Sequence, residues 1–425
     1  MRGAEAVSGE RLLALASGRR MGRLERDGAS VTFTYEPTWQ DAGNAYPLSL
    51  RLPLEQSRHR TAAVLPFLWG LLPDNRDVLE RWGRNFGVSP RNPFKLLAHV
   101  GEDCAGGVQF VVPEREDALL SARPSAPEWI TQAELAERLR RLARDASAGR
   151  LARDHGQFSL PGAQAKTALY FDGKRWGVPS GRTPTTHILK PPVPGFDGHL
   201  ENEHYCLQLA RALDLAVCAS EVRQFEDQTV IVVTRYDRVR QGDGEFVRVH
   251  QEDGCQARGI HPELKYENQG GPGAQQLLET IQESSRHPAE DEATFIRALV
   301  FNWLIGGTDA HAKNYAFLFG GGARIRLAPL YDLASVLPYY PKAVGDLKLA
   351  MQVGGEYLLT RIGWRSWKRF AATRRLEPEA LRTLMVGMAL QLPDRALDVE
   401  GAMRRNGLTH PIIGQLTGML SERAR

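Results

Sequence analysis

The sequence predicts an α+β chain of two lobes, a small β-rich one and a larger helical one, behind an N-terminal accessory domain. Three observations carry this. At 425 residues and 42% hydrophobic content the chain is longer than a single core normally organises. Strand signals crowd together between about Gln157 and Arg238. Downstream of Asp291 the apolar spacing turns helical. The expected divisions are residues 1–117, 118–248 and 249–425.

The N-terminal part has short, irregular signals. Val31 to Tyr35 and Gly106 to Val112 read as strands, and Pro66 to Leu72 as a buried turn of helix. A polar stretch rich in Pro and Ser, Ser121 to Glu128, leads into Thr131-Gln132-Ala133-Glu134. That is a capping box, and it opens a helix with Leu135, Leu139 and Leu142 on one face. Next come four strand signals, Thr167 to Phe171, Thr185 to Lys190, Ala219 to Phe225 and Thr229 to Thr234, with a helix at Glu203 to Leu213 among them. In the second lobe, Phe295, Leu299 and Trp303 recur at steps of four, and Leu381, Leu384, Met385 and Met388 repeat the style. Gly320-Gly321-Gly322 turns a β-hairpin of Tyr315 to Phe319 against Ile325 to Leu327.

Composition excludes several classes. The 54 basic and 50 acidic side chains leave a formal charge of +4, too weak to establish nucleic-acid binding. The four cysteines lie far apart with no C-x-x-C pair, so neither a zinc site nor a disulfide framework is indicated. Leu12 to Ala16, bracketed by Arg11 and Arg19, is too short for a signal-peptide core. Ala298 to Ile305 falls well short of the roughly 20 residues of a membrane span. No membrane association is expected, and the expected compartment is the cytoplasm.

Chemistry concentrates in Gly307-Thr308-Asp309-Ala310-His311-Ala312-Lys313-Asn314, between the apolar helix and the hairpin. Asp309 and Asn314 are separated by four residues, the spacing of a protein-kinase catalytic loop, where the Asp takes the hydroxyl proton and the Asn binds magnesium. Tyr331-Asp332 follows the hairpin and supplies a second candidate Mg2+ carboxylate. Lys190 closes a first-lobe strand, where a kinase places its phosphate-binding lysine. Ser159 to Lys166 is a small-residue loop whose backbone N–H groups could approach phosphates. Each feature alone has an ordinary reading: Asp309 and Asn314 as turn residues, Lys190 as a solvated strand end, the loop as a plain connection, His187 and His311 as structural histidines.

Taken in order, these motifs resemble the HipA family of serine/threonine kinase toxins. The likeness rests on Ser159 to Lys166, Thr183 to Lys190, Arg235 to Arg238 and Gly306 to Asn314, with further similar segments at Val100 to Gly107, His250 to Asp253 and Leu264 to Glu267. Ala165 stands where many relatives carry Glu, and Thr234 where they carry an acidic residue.

The resemblance implies a two-lobed protein-kinase-like fold and Mg-ATP as co-substrate. Asp309 would be the catalytic base, and Asn314 and Asp332 the magnesium ligands. ATP would contact Leu160, Pro161, Gly162, Ala163, Gln164, Ala165 and Lys166 of the loop, with Lys190, Thr234, Arg235, Tyr236, His311, Lys313 and Tyr331. Ser159 would be the autophosphorylated residue that silences the enzyme. The implied partners are a HipB-like helix-turn-helix antitoxin, operator DNA through that antitoxin, and a protein substrate such as glutamyl-tRNA synthetase or another aminoacyl-tRNA synthetase. A catalytically silent corepressor subunit and a small-molecule kinase are the competing readings.

Overall fold

The computed structural model describes residues 10–120, 125–149, 158–242, 244–322, 324–374 and 376–425. The first four residues of the polar stretch Ser121 to Glu128 and the start of the strand-rich segment at Gln157 lie outside them.

The chain opens with a hairpin. Strands β1 (Glu10–Ala16) and β2 (Arg19–Asp27) are joined through Ser17 and Gly18, both at positive φ, the backbone twist that a tight hairpin requires. Strands β3 (Ser30–Tyr35), β4 (Arg58–His59) and β5 (Val108–Val111) complete an antiparallel sheet in the order β4-β3-β2-β1-β5. Helix Thr61–Gly70 covers it with Val64, Phe67 and Leu68. Helix Arg76–Phe86 follows, capped by the Asn75 side chain, which accepts from the N–H groups of Asp77 and Val78.

Strands β6 (Glu128–Ile130), β7 (Thr167–Phe171), β8 (Trp176–Val178), β9 (His187–Lys190), β10 (Ser220–Phe225) and β11 (Gln228–Thr234) form a second antiparallel sheet, in the order β10-β11-β9-β7-β8-β6. Helix Gln132–Arg144 backs it, opened by the Thr131–Glu134 capping box and burying Leu135, Leu139 and Leu142. Helix His199–Ala212 starts four residues before its expected beginning. Although it arises within the strand-rich segment, it packs on the helical lobe, where the Tyr205 hydroxyl donates to Ala396 O at 3.2 Å.

Strands β12 (Arg238–Arg240) and β13 (Phe246–Arg248) form a small ribbon. The remainder is mainly helical, with Ala274–Ser284, Pro288–Ile305, Trp364–Arg374, Pro378–Arg405 and Pro411–Arg423. The expected hairpin is present as β15 (Ala316–Gly320) and β16 (Arg324–Leu327), with β14 (His250–Asp253) on its free edge. One continuous apolar core takes in the N-terminal sheet, helix His199–Ala212 and the helical lobe. A smaller one lies between helix Gln132–Arg144 and the second sheet. All four cysteines are buried and free, and among the described residues no helix is long and apolar enough to cross a membrane.

Candidate active site

A cavity of about 510 Å3 lies between the second sheet and the helical lobe. Its floor begins where helix Pro288–Ile305 stops. Gly306 takes φ +66 there, and a Cβ on it would meet the Leu337 side chain at 2.7 Å, so only glycine ends the helix this way. The chain then folds back on itself: the Asn314 side-chain amide donates to Asp309 O at 2.9 Å, and the His311 N–H to the same oxygen at 2.8 Å. The four-residue spacing thus closes into one compact turn. The Asp309 carboxylate accepts from the Tyr266 hydroxyl at 2.5 Å.

Across the cavity, β9 delivers Lys190. Its ammonium donates to Glu203 Oε1 at 2.7 Å and to Asp332 Oδ1, with 6% of the lysine and 3% of the glutamate side chain exposed. Burial would lower the lysine and raise the aspartate, but the opposite charges win. Asp332 and Glu203 raise Lys190, while Lys190 and Lys166 hold Asp332 well below the usual carboxylate range. Asp332 has φ +53, a left-handed conformation that costs a non-glycine residue energy and recurs at functional sites.

The small-residue loop forms the roof. Gly162 takes φ +103, and the Lys166 ammonium donates to Pro161 O at 2.7 Å. Burial pushes Lys166 down to about 8, with nearby Asp332 opposing. At the far end Tyr236 and Tyr331 lie with ring centroids 5.7 Å apart, and the Tyr331 hydroxyl donates to Lys313 O at 2.6 Å. Arg235 also lines the cavity. Its guanidinium turns away to Asp237, Thr185 and Cys104 O. Burial takes His311 down to about 4, a neutral imidazole at physiological pH.

Leu160, Pro161, Gly162, Ala163, Gln164, Lys166, Lys190, Thr234, Tyr236, Asp309, His311, Lys313, Asn314, Tyr331 and Asp332 all line the cavity. Ala165 and Ser159 lie outside it. Ser159 is fully buried beneath the loop, its hydroxyl donating to Leu71 O at 2.7 Å. Several residues were not assigned roles from sequence: Glu203, Tyr266, Asp74, Lys265 and Asp253. Glu203 carried a usable signal. It shares a helix face with Leu200 and Leu207, and a carboxylate on an apolar face needs a buried cation.

The residues fit a magnesium nucleotide. The cavity is of ligand size, the ammonium groups of Lys190 and Lys166 face it beside Asp332, and Asn314 with Asp332 could supply two oxygen ligands. Such a sparse oxygen set suits Mg2+, which keeps water and phosphate oxygens in its shell.

A small antiparallel sheet and a helical lobe enclosing a lysine–glutamate pair, together with an N-terminal domain, define a protein-kinase-like fold. Residues 158–396 match the HipA-like C-terminal domain and residues 12–111 the HipA N-terminal domain, and the chain belongs to the HipA family of serine/threonine kinase toxins. It is 36% identical to a putative kinase of Sinorhizobium fredii over 358 residues, 83% of each chain. It is 30% identical to the serine/threonine-protein kinase toxin HipA of Shewanella oneidensis over 352 residues, 79% of this chain and 77% of that one. The Shewanella oneidensis HipA in the solved complex of HipA, HipB and operator DNA superposes with a TM-score of 0.82 at 25% identity, covering 97% of this chain and 96% of that one.

Proposed function

We propose that this protein is a Mg-ATP-dependent serine/threonine protein kinase and the toxin of a toxin–antitoxin pair. The observation that carries the reading is the Lys190–Glu203 pair reaching Asp332 in the cavity that also holds Asp309 and Asn314. Asp332 and Asn314 would hold Mg2+, Lys190 and Lys166 the phosphates, and the main chain around Thr234 to Tyr236 the base. Bound Mg-ATP supplies the phosphoryl group and the metal charge. Asp309 would accept the proton of the acceptor hydroxyl, and Tyr266, hydrogen-bonded to one carboxylate oxygen, would hold the base in orientation. Catalysis here rests on positioning and electrostatics.

Regulation would run through Ser159. Its hydroxyl is buried against Leu71, so phosphorylation requires the loop to leave its seat, and a group carrying about −1.5 to −2 charge would keep it from returning among buried carbonyls. The proposed domain divisions fall at 117 and 248. The partners would be a HipB-like antitoxin and, through it, operator DNA, as in the Shewanella complex. The cellular target would be an aminoacyl-tRNA synthetase such as glutamyl-tRNA synthetase, its phosphorylation halting growth and producing persistence in the cytoplasm.

The test is the intact mass of unphosphorylated protein after incubation with Mg-ATP, beside an Asp309→Gln control. One added phosphate on Ser159, in the wild type alone, is expected. No gain in the wild type, or an equal gain in the variant, would overturn the assignment.

A further inference from the structure

The N-terminal domain reaches the cavity through Asp74 and Ala105, and of the two only Asp74 brings a charge. Pro73 stiffens the chain just before helix Arg76–Phe86, and Asn75 caps that helix, so the Asp74 carboxylate is left for other partners. It lies between two lysines of the helical lobe, 3.1 Å from Lys265 Nζ and 3.4 Å from Lys313 Nζ. Lys313 is also 3.3 Å from Asp253. The main chain of the same residue holds the roof: the Asp74 N–H donates to Gly162 O at 3.2 Å, and Pro73 forms a parallel bridge with Gly162.

We infer that Asp74 is a positioning residue for phosphoryl transfer, by which the N-terminal domain sets the catalytic turn and the phosphate loop against each other. The inference rests on the kinase reading above. Lys313 immediately precedes Asn314 and lies four residues after Asp309, so anchoring its ammonium fixes the turn that presents both side chains. The neighbouring Lys265 precedes Tyr266, whose hydroxyl holds Asp309, so the second ion pair of Asp74 steadies the base by another route. One carboxylate therefore braces the proton acceptor from two sides, while its own N–H braces the loop.

The charge decides what a substitution reads. Asp74→Asn keeps the N–H grip on Gly162 and nearly the same shape, but releases Lys265 and leaves Lys313 to Asp253 alone. Removing an anion beside a polyphosphate site does not weaken nucleotide attraction, whereas loosening the turn misplaces the base. Displacements near 1 Å cost on the order of 100-fold in rate, so a rate loss of about tenfold or more is expected, with Mg-ADP affinity equal to or higher than the wild type's.

The experiment compares wild type, Asp74→Asn and Asp74→Glu. Self-phosphorylation rates at saturating Mg-ATP are followed by intact mass, Mg-ADP binding by calorimetry, and folding by thermal unfolding. The inference is supported by a slowed Asp74→Asn with undiminished Mg-ADP binding and a wild-type-like unfolding transition, with Asp74→Glu recovering most of the rate. An unchanged rate in Asp74→Asn overturns it. So does a parallel loss of rate, Mg-ADP binding and stability, which would make Asp74 a structural residue only. A wild type that binds Mg-ADP but never gains phosphate would instead overturn the kinase reading, and the inference with it.

Discussion

At the scale of single residues, burial decides which charges matter. Lys190, Glu203 and Lys313 lose nearly all contact with water, and each is retained because an opposite charge sits within ion-pair distance. Glu252 is the contrasting case. Its Oε1 accepts from the Leu50 N–H at 2.8 Å, but among the described residues its buried Oε2 has no hydrogen-bond partner, and burial pushes the carboxyl up to about 8. The folded chain therefore keeps a proton that the unfolded chain releases near the ordinary 4.5. Stability from this residue is fully present below that value and declines as pH rises toward 8, by up to about 1.4 kcal/mol per pH unit. Glu252→Gln, which stays neutral, should flatten this slope and raise Tm at pH 8 relative to the wild type. Thermal unfolding of both proteins between pH 5 and 8 checks it; parallel curves would mean that Glu252 is ionised in the fold.

At the scale of elements, legibility followed local chemistry. Helix Gln132–Arg144 was readable to its first residue because its start is a side-chain motif: the Thr131 hydroxyl accepts from the Glu134 N–H at 3.2 Å, and Glu134 accepts in return from the Thr131 N–H at 2.8 Å. Thr131→Ala should cost about 1 kcal/mol, seen as a lower Tm with Mg-ADP binding unchanged, since the helix backs the sheet away from the cavity. Helix His199–Ala212 extends beyond its expected start because its N-cap is Gly198, at φ +69, which supplies no side-chain signal. Strand β1 carries no strand signal for a different reason. It is buried on both faces, by the main core through Leu12 and Ala14 and by Val111 and Leu119 through Leu13 and Leu15, so the alternation that marks a strand is missing. In β2 the run of Arg19, Arg20, Arg23 and Arg26 masks the two apolar side chains, Met21 and Leu24, that face the core.

At the scale of the molecule, the N-terminal domain is not an appendage. Its apolar residues share one core with the helical lobe. Its Asp103 carboxylate accepts from Arg238 at 2.8 Å, Arg248 at 3.1 Å and the Thr185 hydroxyl at 2.7 Å, which ties the domain to the residues leading into β9 and to the segment after β11. Opposed Arg238 and Arg248 charges overcome the burial that would raise Asp103 and hold it well below the usual carboxylate range. The Asp103 main chain also accepts from the Ser159 N–H at 3.0 Å, so the domain seats the loop Ser159 to Lys166 as well. A chain lacking residues 1–117 should therefore show no cooperative unfolding transition and no Mg-ADP binding. A truncated protein that melts cooperatively and binds the nucleotide as the full chain does would show the domain to be dispensable for the site.

By itself the sequence determined the local and the ordered: the α+β division, the capped helix, the glycine-turned hairpin, and a succession of motifs whose spacing places Asp309, Asn314 and Asp332 around one short hairpin. Those properties live within a few residues of each other, where backbone geometry leaves few choices. Only the tertiary structure decided the pairings made across the chain, Lys190 with Glu203 and Asp332, Asp74 with Lys265 and Lys313, and Asp103 with the arginines after β11. A charged residue looks the same in sequence whether it faces water or a buried partner. Which it faces is set by how the sheets and helices close on one another.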